Sequence, residues 1–375
     1  MIGVLLVAGG RTHQENFAPL FAADPRCRLI GVTDESDVPP ERARWNGRFA
    51  GELGLPVLAD FDQALARPDV HVASICVEPE RRGRVAARAA RAGKHLFLDK
   101  PLAASVEDAR NIVAAVAQAG VRSHMDTLVR TPLADQARRA LASGRLGELR
   151  AIHCDLLFAK GRAGTAPPGR PRREHFPPRS FTFVDSKREM YTTGVYSLAL
   201  ISWLTRRPPR RVWAVTANYF FAEHARHDVE DFGLIALTLE GGVTATLTAG
   251  RIGWSSDPLA GPNRLLLVGS RASLLLDAYR PRLEIYADEP PWTPPAINPG
   301  DPMGFWKSGQ MEVNTKPKQS WIVPPSPELP TEAGYFLNCI EGNRESDMPA
   351  ARAAEGIEVL MAAYRSAATG QVVEL

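Results

Sequence analysis

Cysteine is scarce in this 375-residue chain, no apolar run is long enough to cross a membrane, and neither sign of charge dominates. No two of the four cysteines have C-x-x-C spacing, which excludes a zinc site or a redox pair built on that motif. The 45 basic and 42 acidic residues give a net charge of +3, so composition favours neither nucleic acid nor an anionic membrane as a partner. The apolar start, Met1 to Ala8, lacks the basic flank of a signal sequence. We therefore expect a cytoplasmic protein with reduced thiols and no bound metal.

Strand-like and helix-like segments alternate regularly from Met1 to Met125. The strands, such as Gly3–Val7 and Val72–Val77, are almost continuously apolar, which is typical of parallel strands buried on both faces. Helical segments between them begin at capping residues such as Ser105. This pattern predicts an α/β domain with a parallel sheet over residues 1–126.

After Pro132 the strands follow one another with tight turns such as 240–242 between them. We predict a second, α+β domain over residues 127–375 with a large, mostly antiparallel open sheet. We expect a helix near Val195–Leu204 and two closing helices, Glu332–Glu341 and Ala350–Ala368, which can pack back onto the first domain. A Pro- and Trp-rich segment, 290–330, is expected to wrap the surface.

The turn after the first strand, Val7–His13, occupies the place of a glycine-rich phosphate loop. The match is incomplete, because Ala8 and His13 stand where the first and third glycines are expected, and a simple tight turn fits equally well. Asp34 ends the second strand about 24 residues after Gly10, where a carboxylate binds the adenosine ribose and repels a 2′-phosphate. The candidate cofactor-binding residues of this region are Ala8, Gly9, Gly10, Thr12, His13 and Asp34, and they favour NAD over NADP.

The run from Gly93 to Leu102 places a short apolar strand directly before Asp99, Lys100 and Pro101. Ligands of open parallel sheets bind just beyond the carboxyl ends of the strands, so a lysine there can touch cofactor and substrate together. The end of the preceding strand reaches the same edge. We therefore add Val77, Glu78, Pro79, Asp99, Lys100 and Pro101 to the candidate cofactor contacts.

The segment Ala92–Leu102 resembles the A-G-K-H-V-x-x-E-K-P-L signature of the glucose-fructose oxidoreductase, inositol dehydrogenase and rhizopine-catabolism (Gfo/Idh/MocA) family, with Asp99 in place of the usual glutamate. Residues 194–204 resemble the family's D-x-G-x-H-x-x-D segment and the helix after it, and the resemblance covers essentially the whole chain. It implies a Rossmann domain that binds NAD(P), a sugar, inositol or related polyol as substrate, and a homodimer or homotetramer formed through the C-terminal sheet. It also implies a cis peptide bond before Pro101.

The resemblance assigns the catalytic residues, with departures. The usual catalytic histidine falls at Tyr196 and the aspartate four residues earlier at Thr192; some members of the family also carry tyrosine at the first position. We assign Tyr196 as the acid/base, with its pKa lowered by the Lys100 ammonium, because a free tyrosine is a poor base. Lys100 would orient the substrate, and Asp99 would orient Lys100 or the nicotinamide. A buried structural tyrosine and a helix-capping Thr192 are the alternative interpretations.

The remaining substrate candidates are Thr192, Lys187 and Arg188, which follow an Arg- and Pro-rich loop over residues 160–180. Positive charge there would suit a carboxylated or phosphorylated sugar, although a solvated surface loop or subunit arm explains the arginines more simply. The segment His224–His227 has no further ligand nearby and is predicted to be a surface turn rather than a metal site.

The sequence as a whole predicts an NAD(P)-dependent dehydrogenase that oxidises or reduces a CH–OH group of a sugar or polyol. Two other classes stay open. One is a non-catalytic NAD(P)-binding regulator on the same fold, which the loss of the usual histidine favours. The other is an NAD-recycling glycosidase or epimerase-like enzyme that oxidises and re-reduces one sugar.

Overall fold

The structure, a computed structural model, describes residues 1–10, 12–158, 173–182, 186–251, 263–277, 282–287, 320–321 and 329–375. These residues form two sheets, one in each half of the chain. Parts of the predicted basic loop, including residues 159–172, and most of the segment 290–330 lie outside the described residues.

The first sheet has six parallel strands in the order β3-β2-β1-β4-β5-β6. The strands are β1 (Ile2–Val7), β2 (Cys27–Thr33), β3 (Val57–Leu58), β4 (Val72–Ile75), β5 (His95–Leu98) and β6 (Ser123–Met125). Five helices connect them: α1 (Gln14–Ala22), α2 (Pro40–Glu52), α3 (Phe61–Ala66), α4 (Pro79–Arg91) and α5 (Val106–Ala119). This order, with its reversal between β1 and β4, is that of a Rossmann fold and confirms the predicted fold class of the first half.

Local sequence explains where these elements begin and end. Ser105 accepts a hydrogen bond from the Asp108 N–H at the start of α5, and Gly120 ends that helix with a φ of 65°. All four residues of β4 are buried, as expected for a strand with helices on both faces. The short β3 and α3 were missed, because a two-residue strand carries no periodicity that a sequence pattern reveals.

The second sheet has nine strands among the described residues, in the order β14-β13-β12-β11-β7-β10-β9-β8-β15. Its strands are β7 (Leu149–Phe158), β8 (Pro209–Ala217), β9 (Phe232–Leu239), β10 (Thr244–Arg251), β11 (Asn263–Gly269), β12 (Ala272–Asp277), β13 (Arg282–Ala287), β14 (Ser320–Trp321) and β15 (Val373–Glu374). Every described pairing is antiparallel except that of β7 with β10. The predicted large, mostly antiparallel sheet is confirmed.

The helices of the second half are α6 (Pro132–Ala142), α7 (Glu189–Thr205), α8 (Ala222–His227), α9 (Glu332–Glu341) and α10 (Ala350–Thr369), with single 3₁₀ turns at Leu128–Arg130 and Glu240–Gly242. Strand β10 alternates buried and more accessible residues, and its buried side faces α7. A Cβ at Gly194 of α7 would meet Ala249 and Leu247 at 3.6 Å. One face of the sheet is therefore covered by helix.

The closing helices contact the first sheet as well as the second. Phe336 of α9 packs against Phe97 of β5, with ring centroids 5.9 Å apart. Glu358 of α10 pairs with Arg110 of α5 at 2.7 Å. The exact boundary between residues 126 and 127 stays a prediction.

Two expectations about the second half need correction. Helix α7 begins at Glu189, six residues before the predicted start at Val195, and so it contains all of the segment that aligns with the family's histidine motif. The predicted surface turn at His224 is part of helix α8, and His224 is buried with its Nε2 3.4 Å from Glu189 Oε1.

No helix in the described ranges is long and apolar enough to cross a membrane. The four cysteines are free thiols, and burial raises the pKa of Cys76 and Cys154 well above the value of a reactive cysteine.

Candidate active site

The candidate site lies at the carboxyl edge of the first sheet, where four neighbouring strands end. The loop after β1, Glu78 after β4, Asp99 after β5 and Asp126 after β6 all reach this edge. Helix α7 brings Tyr196 to it from the second half of the chain. The structure thus brings most of the predicted cofactor and catalytic residues into one cleft, at the reversal of strand order where open sheets bind ligands.

Packing against helix α2 explains both glycines of the first turn. A Cβ at Gly9 would lie 2.7 Å from Phe49 Cδ1. A Cβ at Gly10 would lie 2.7 Å from the carbonyl oxygen of Trp45. Any side chain at either position would therefore push α2 away from the loop, whether or not a phosphate binds there.

The other residues of this turn hold its shape. Ala8 stands at the first fingerprint glycine and has a φ of 62°, a conformation that glycine adopts more readily. Its N–H donates to the Thr33 carbonyl at 2.9 Å. The Thr12 hydroxyl donates to the Gly9 carbonyl at 2.7 Å.

Asp34 is buried at the end of β2, and protein groups already bind its carboxylate. Arg81 Nη2 donates to Oδ1 at 2.8 Å, and Asn46 Nδ2 donates to Oδ2 at 2.9 Å. Asn46 in turn accepts the Gly9 N–H at 2.8 Å, which ties the ribose position to the phosphate loop. A preference for NAD requires the negative charge of this carboxylate to repel a 2′-phosphate, and Arg81 offsets part of that charge. The preference for NAD over NADP stays a prediction.

The residues after β4 form the start of helix α4. Val77 is buried, Pro79 is the first helical residue, and Glu78 forms an ion pair with Arg42 of α2. Glu80, in the first turn of α4, contacts the second half of the chain. Its carboxylate accepts the backbone N–H groups of residues 181 and 182 at 3.0 and 3.1 Å, and so it fastens a loop of the second half to α4.

Asp99 is buried among three donors. Arg82 Nη2 donates to its Oδ2 at 3.2 Å, and His13 Nδ1 lies 2.7 Å from its Oδ1. The Lys100 N–H also donates to Oδ1, at 2.7 Å. Burial alone would raise the pKa of Asp99, but the charge of Arg82 and the hydrogen bond from His13 outweigh it and lower that pKa to about 2. Asp99 is therefore ionised, and its contacts are with protein groups.

Lys100 and Tyr196 are in contact, as predicted. The Lys100 ammonium lies 4.7 Å from the centroid of the Tyr196 ring and donates to the Thr192 carbonyl at 2.8 Å. The Lys100–Pro101 peptide bond is cis, as the resemblance implies. The surrounding protein removes water from the ammonium and lowers the pKa of Lys100 to about 8.

The predicted lowering of the Tyr196 pKa is wrong. Loss of water around the phenol, followed by the charge of Asp126, raises this pKa well above its usual value. The ammonium of Lys100 lies over the face of the ring, where it is attracted to the π electrons. Of the two residues, Lys100 has the pKa better suited to proton transfer near neutral pH.

The predicted substrate residues occupy three different environments. Lys187 is exposed, and its charge contributes to the lowered pKa of Lys100. Thr192 presents its carbonyl to Lys100, while its hydroxyl donates to the Arg188 carbonyl at 2.9 Å. Arg188 is 3% exposed and pairs with Glu174 and Glu230, at 3.1 and 2.9 Å. Its charge is balanced inside the fold, which does not favour the predicted contact with substrate.

Sequence reasoning missed three charged residues of this cleft. Asp126 follows β6, and surrounding protein raises its pKa well above the usual value; the strand-end rule that selected Asp99 would also have selected it. Glu189 is buried beside His224 and Arg251, whose interactions outweigh burial and lower its pKa. The charged sequence around Arg82 predicts an exposed helical position, and no sequence pattern indicates that this side chain is buried.

Among the described residues, no group of three or more His, Cys, Asp or Glu side chains could hold a metal ion. The strand order and the position of the site at its reversal define a Rossmann-fold protein of the dinucleotide-binding class. Residues 2–127 match the family described as "Oxidoreductase family, NAD-binding Rossmann fold", and residues 134–275 match the "GFO/IDH/MocA C-terminal domain". The chain belongs to the Gfo/Idh/MocA family, whose members are NAD(P)-dependent oxidoreductases.

Inositol 2-dehydrogenase from Pseudomonas savastanoi is a curated relative, 36% identical over 107 residues that make up 28% of this chain and 31% of that protein. The chain spans less than half the length of several curated relatives that it matches.

Two solved structures share the fold over nearly the whole length. One is the aldose-aldose oxidoreductase from Caulobacter crescentus complexed with glycerol, with a TM-score of 0.70, 22% identity and coverage of 100% of this chain and 99% of that one. The other is the WlbA dehydrogenase from Bordetella pertussis in complex with NADH and UDP-GlcNAcA, with a TM-score of 0.70, 20% identity and coverage of 100% and 97%.

Proposed function

We propose that this protein is an NAD(P)-dependent dehydrogenase that interconverts a secondary alcohol and a ketone on a sugar, inositol or related polyol. The observation that carries the proposal is the contact of Lys100 with Tyr196 at the carboxyl edge of a dinucleotide-binding sheet. The sugar- and inositol-acting relatives named above support the substrate class. We expect NAD to be preferred over NADP, and NADP serves as the comparison in the test.

Lys100 is the better candidate for the proton-transfer group. In the oxidation direction, its neutral amine takes the proton of the substrate hydroxyl while the C–H bond at the same carbon breaks. A dinucleotide held by the loop after β1 and by Asp34 would supply the nicotinamide that takes up the hydride of that bond. The lowered pKa of Lys100, about 8, allows the amine to exist near neutral pH. In reduction the ammonium returns the proton to the forming alkoxide.

Tyr196 supports this step from beside the lysine. Its ring lies 4.7 Å from the ammonium, and its high pKa keeps the phenol protonated. A protonated phenol donates a hydrogen bond to the substrate oxygen rather than removing its proton. In this proposal Lys100 takes the acid/base role that the sequence assigns to Tyr196, and Tyr196 takes the substrate-orienting role that the sequence assigns to Lys100.

The test is NAD(P) reduction measured across a panel of sugars, inositols and polyols. On a substrate so identified, Lys100→Met should lower kcat/KM by about 10²–10⁴-fold and Tyr196→Phe by a smaller factor. Tyr219→Phe is the matched control, because Tyr219 is 60% exposed and lies on the second sheet's side of the molecule. Full activity of the Lys100 variant would refute the assignment. Cofactor binding with no turnover on any substrate would instead favour a regulator.

We also propose that two or four copies associate through the second sheet. Among the described residues no helix covers its outer face, on which Trp213 and Val215 of β8 are 39% and 42% exposed. Exposed apolar side chains on a broad strand surface are typical of an interface between subunits. A cytoplasmic location stays a prediction of the sequence.

A further inference from the structure

Three residues from separate segments form a continuous polar chain under the cofactor side of the cleft. Arg82 of α4 is 2% exposed and donates to Asp99 Oδ2 at 3.2 Å. The same guanidinium donates to the backbone carbonyls of residues 99 and 77, at 2.8 and 2.5 Å. Asp99 Oδ1 lies 2.7 Å from His13 Nδ1. The chain ends at the His13 ring, whose side chain is 38% exposed.

The charge of Asp99 fixes how the His13 ring is held. Asp99 has no proton to donate, so the Nδ1 atom of His13 must carry the hydrogen of the bond between them. This leaves Nε2 as the outward polar atom of the ring, and no described residue hydrogen-bonds it. Because Arg82 fixes the carboxylate from the buried side, the orientation of His13 is fixed in turn.

The two ends of this contact are two of the places where the cofactor motifs of this chain depart from their usual form. His13 stands where the third fingerprint glycine is expected, and Asp99 stands where the family signature has glutamate. Glutamate at position 99 would carry its carboxylate about 1.5 Å further, one C–C bond, into the imidazole that now lies 2.7 Å away. Glycine at position 13 would leave Asp99 without the partner that bridges it to the loop.

We propose that His13 and Asp99 are a compensating pair, in which Asp99 positions the His13 imidazole so that Nε2 binds the ribose-phosphate of the cofactor's nicotinamide half. Asp99 is then a positioning residue held by Arg82. His13, rather than the acidic residue at position 99, makes the contact with the cofactor. The inference rests on the proposed function, because it needs a dinucleotide in this cleft. Its geometry is independent of which sugar or polyol is the substrate.

The test restores the usual residues one at a time and together. NADH affinity is measured by fluorescence for the wild type, His13→Gly, Asp99→Glu and the double variant. Each single change should weaken binding about tenfold, and the double variant should return to within about threefold of the wild type. Losses that simply add would overturn the pairing. Thermal unfolding of each variant shows whether it is folded.

A second measurement keeps the proposal testable if Asp99→Glu fails to fold. His13→Gln should weaken the binding of NADH and of ADP-ribose by the same factor and leave AMP binding unchanged, since AMP lacks the nicotinamide-side ribose-phosphate. An equal loss for AMP, or a loss for NADH alone, would overturn the assigned contact. His71→Gln is the matched control, because His71 lies at the opposite edge of the same sheet and bonds Gly3. If the wild type binds neither NADH nor ADP-ribose, the proposed function is refuted. If the wild type binds both and the losses of NADH affinity in the two single variants simply add in the double variant, only the pairing of His13 with Asp99 is refuted.

Discussion

At the scale of single residues, the loss of water around Lys100 and Tyr196 shifts the pKa values of both side chains. An exposed lysine has a pKa of about 10.4 and is a cation at neutral pH. The protein around Lys100 removes water, and the nearby charge of Lys187 adds to that effect, while Asp99 opposes it; the result is a pKa of about 8. The same loss of water drives Tyr196 the other way, because its charged form is the anion.

This difference predicts the pH dependence of activity. Oxidation needs the neutral amine of Lys100, so its kcat/KM should rise with pH up to about 8 and then level off. Reduction needs the ammonium and should fall as pH rises through the same value. Initial rates in both directions between pH 6 and pH 10, roughly the range in which lysine and tyrosine titrate, check this.

Lys187→Met tests whether Lys100 is the titrating group. Removing the positive charge of Lys187 should raise the pKa of Lys100 and move the oxidation profile to higher pH, whereas Tyr196→Phe should leave its midpoint in place. A midpoint that moves with Tyr196→Phe and not with Lys187→Met would assign proton transfer to the tyrosine instead.

At the scale of elements, the first turn of helix α4 connects the two halves of the cleft. Arg82 points inward and holds the turn of residues 99–101, while Glu80 points to the second half and holds residues 180–182. Both side chains belong to the charged run of residues 80–82, for which the sequence pattern predicts exposure to solvent. Helix α4 therefore fixes the turn that carries Lys100 on one side and residues 180–182 of the second half on the other.

Glu80→Ala should release the loop without unfolding the sheet. The amides of Phe181 and Thr182 would lose their acceptor, and their hydrogen exchange should become about tenfold faster or more. Glu107→Ala is the control, because Glu107 is an exposed residue in the first turn of the neighbouring helix α5. Unchanged exchange at both amides would show that other contacts hold the loop.

At the scale of the whole molecule, the two sheets differ in how their faces are covered. The first sheet has helices on both faces, as a parallel sheet with helical connections must. The second sheet has α7 and α10 on one face, while Trp213 and Val215 lie on the other. A second copy of the chain that covered this face would remove its apolar side chains from water, which favours association.

Charge on this face should separate the subunits. Trp213→Asp combined with Val215→Asp would bury two carboxylates in the proposed interface and should convert the oligomer to monomers. Val57→Asp is the control, because Val57 is 52% exposed at the edge of the first sheet. Sedimentation velocity on the three proteins gives the answer; a monomeric wild type, or an oligomeric double variant, would contradict the proposal.

Periodicity and short motifs predicted much of the fold. In the first sheet, the apolar run of a buried strand stops at its carboxyl end and a charged residue follows, as Asp34 and Asp99 do. The sequence therefore shows where these strands end. The prediction for Arg188 shows the limit of the same reasoning. Its charge suggests a surface, yet Glu174 and Glu230 approach it from distant segments and allow it to be buried.

The sequence by itself determined the parallel sheet, the family and the position of Lys100, because each of these depends on local periodicity or on a contiguous motif. Only the tertiary structure decided which groups face one another in the cleft. It placed His13 and Arg82 against Asp99, and Arg81 against Asp34. The pKa values of Asp99, Lys100 and Tyr196 follow from the tertiary structure too, since pKa depends on distance and water exclusion, which chain order does not encode.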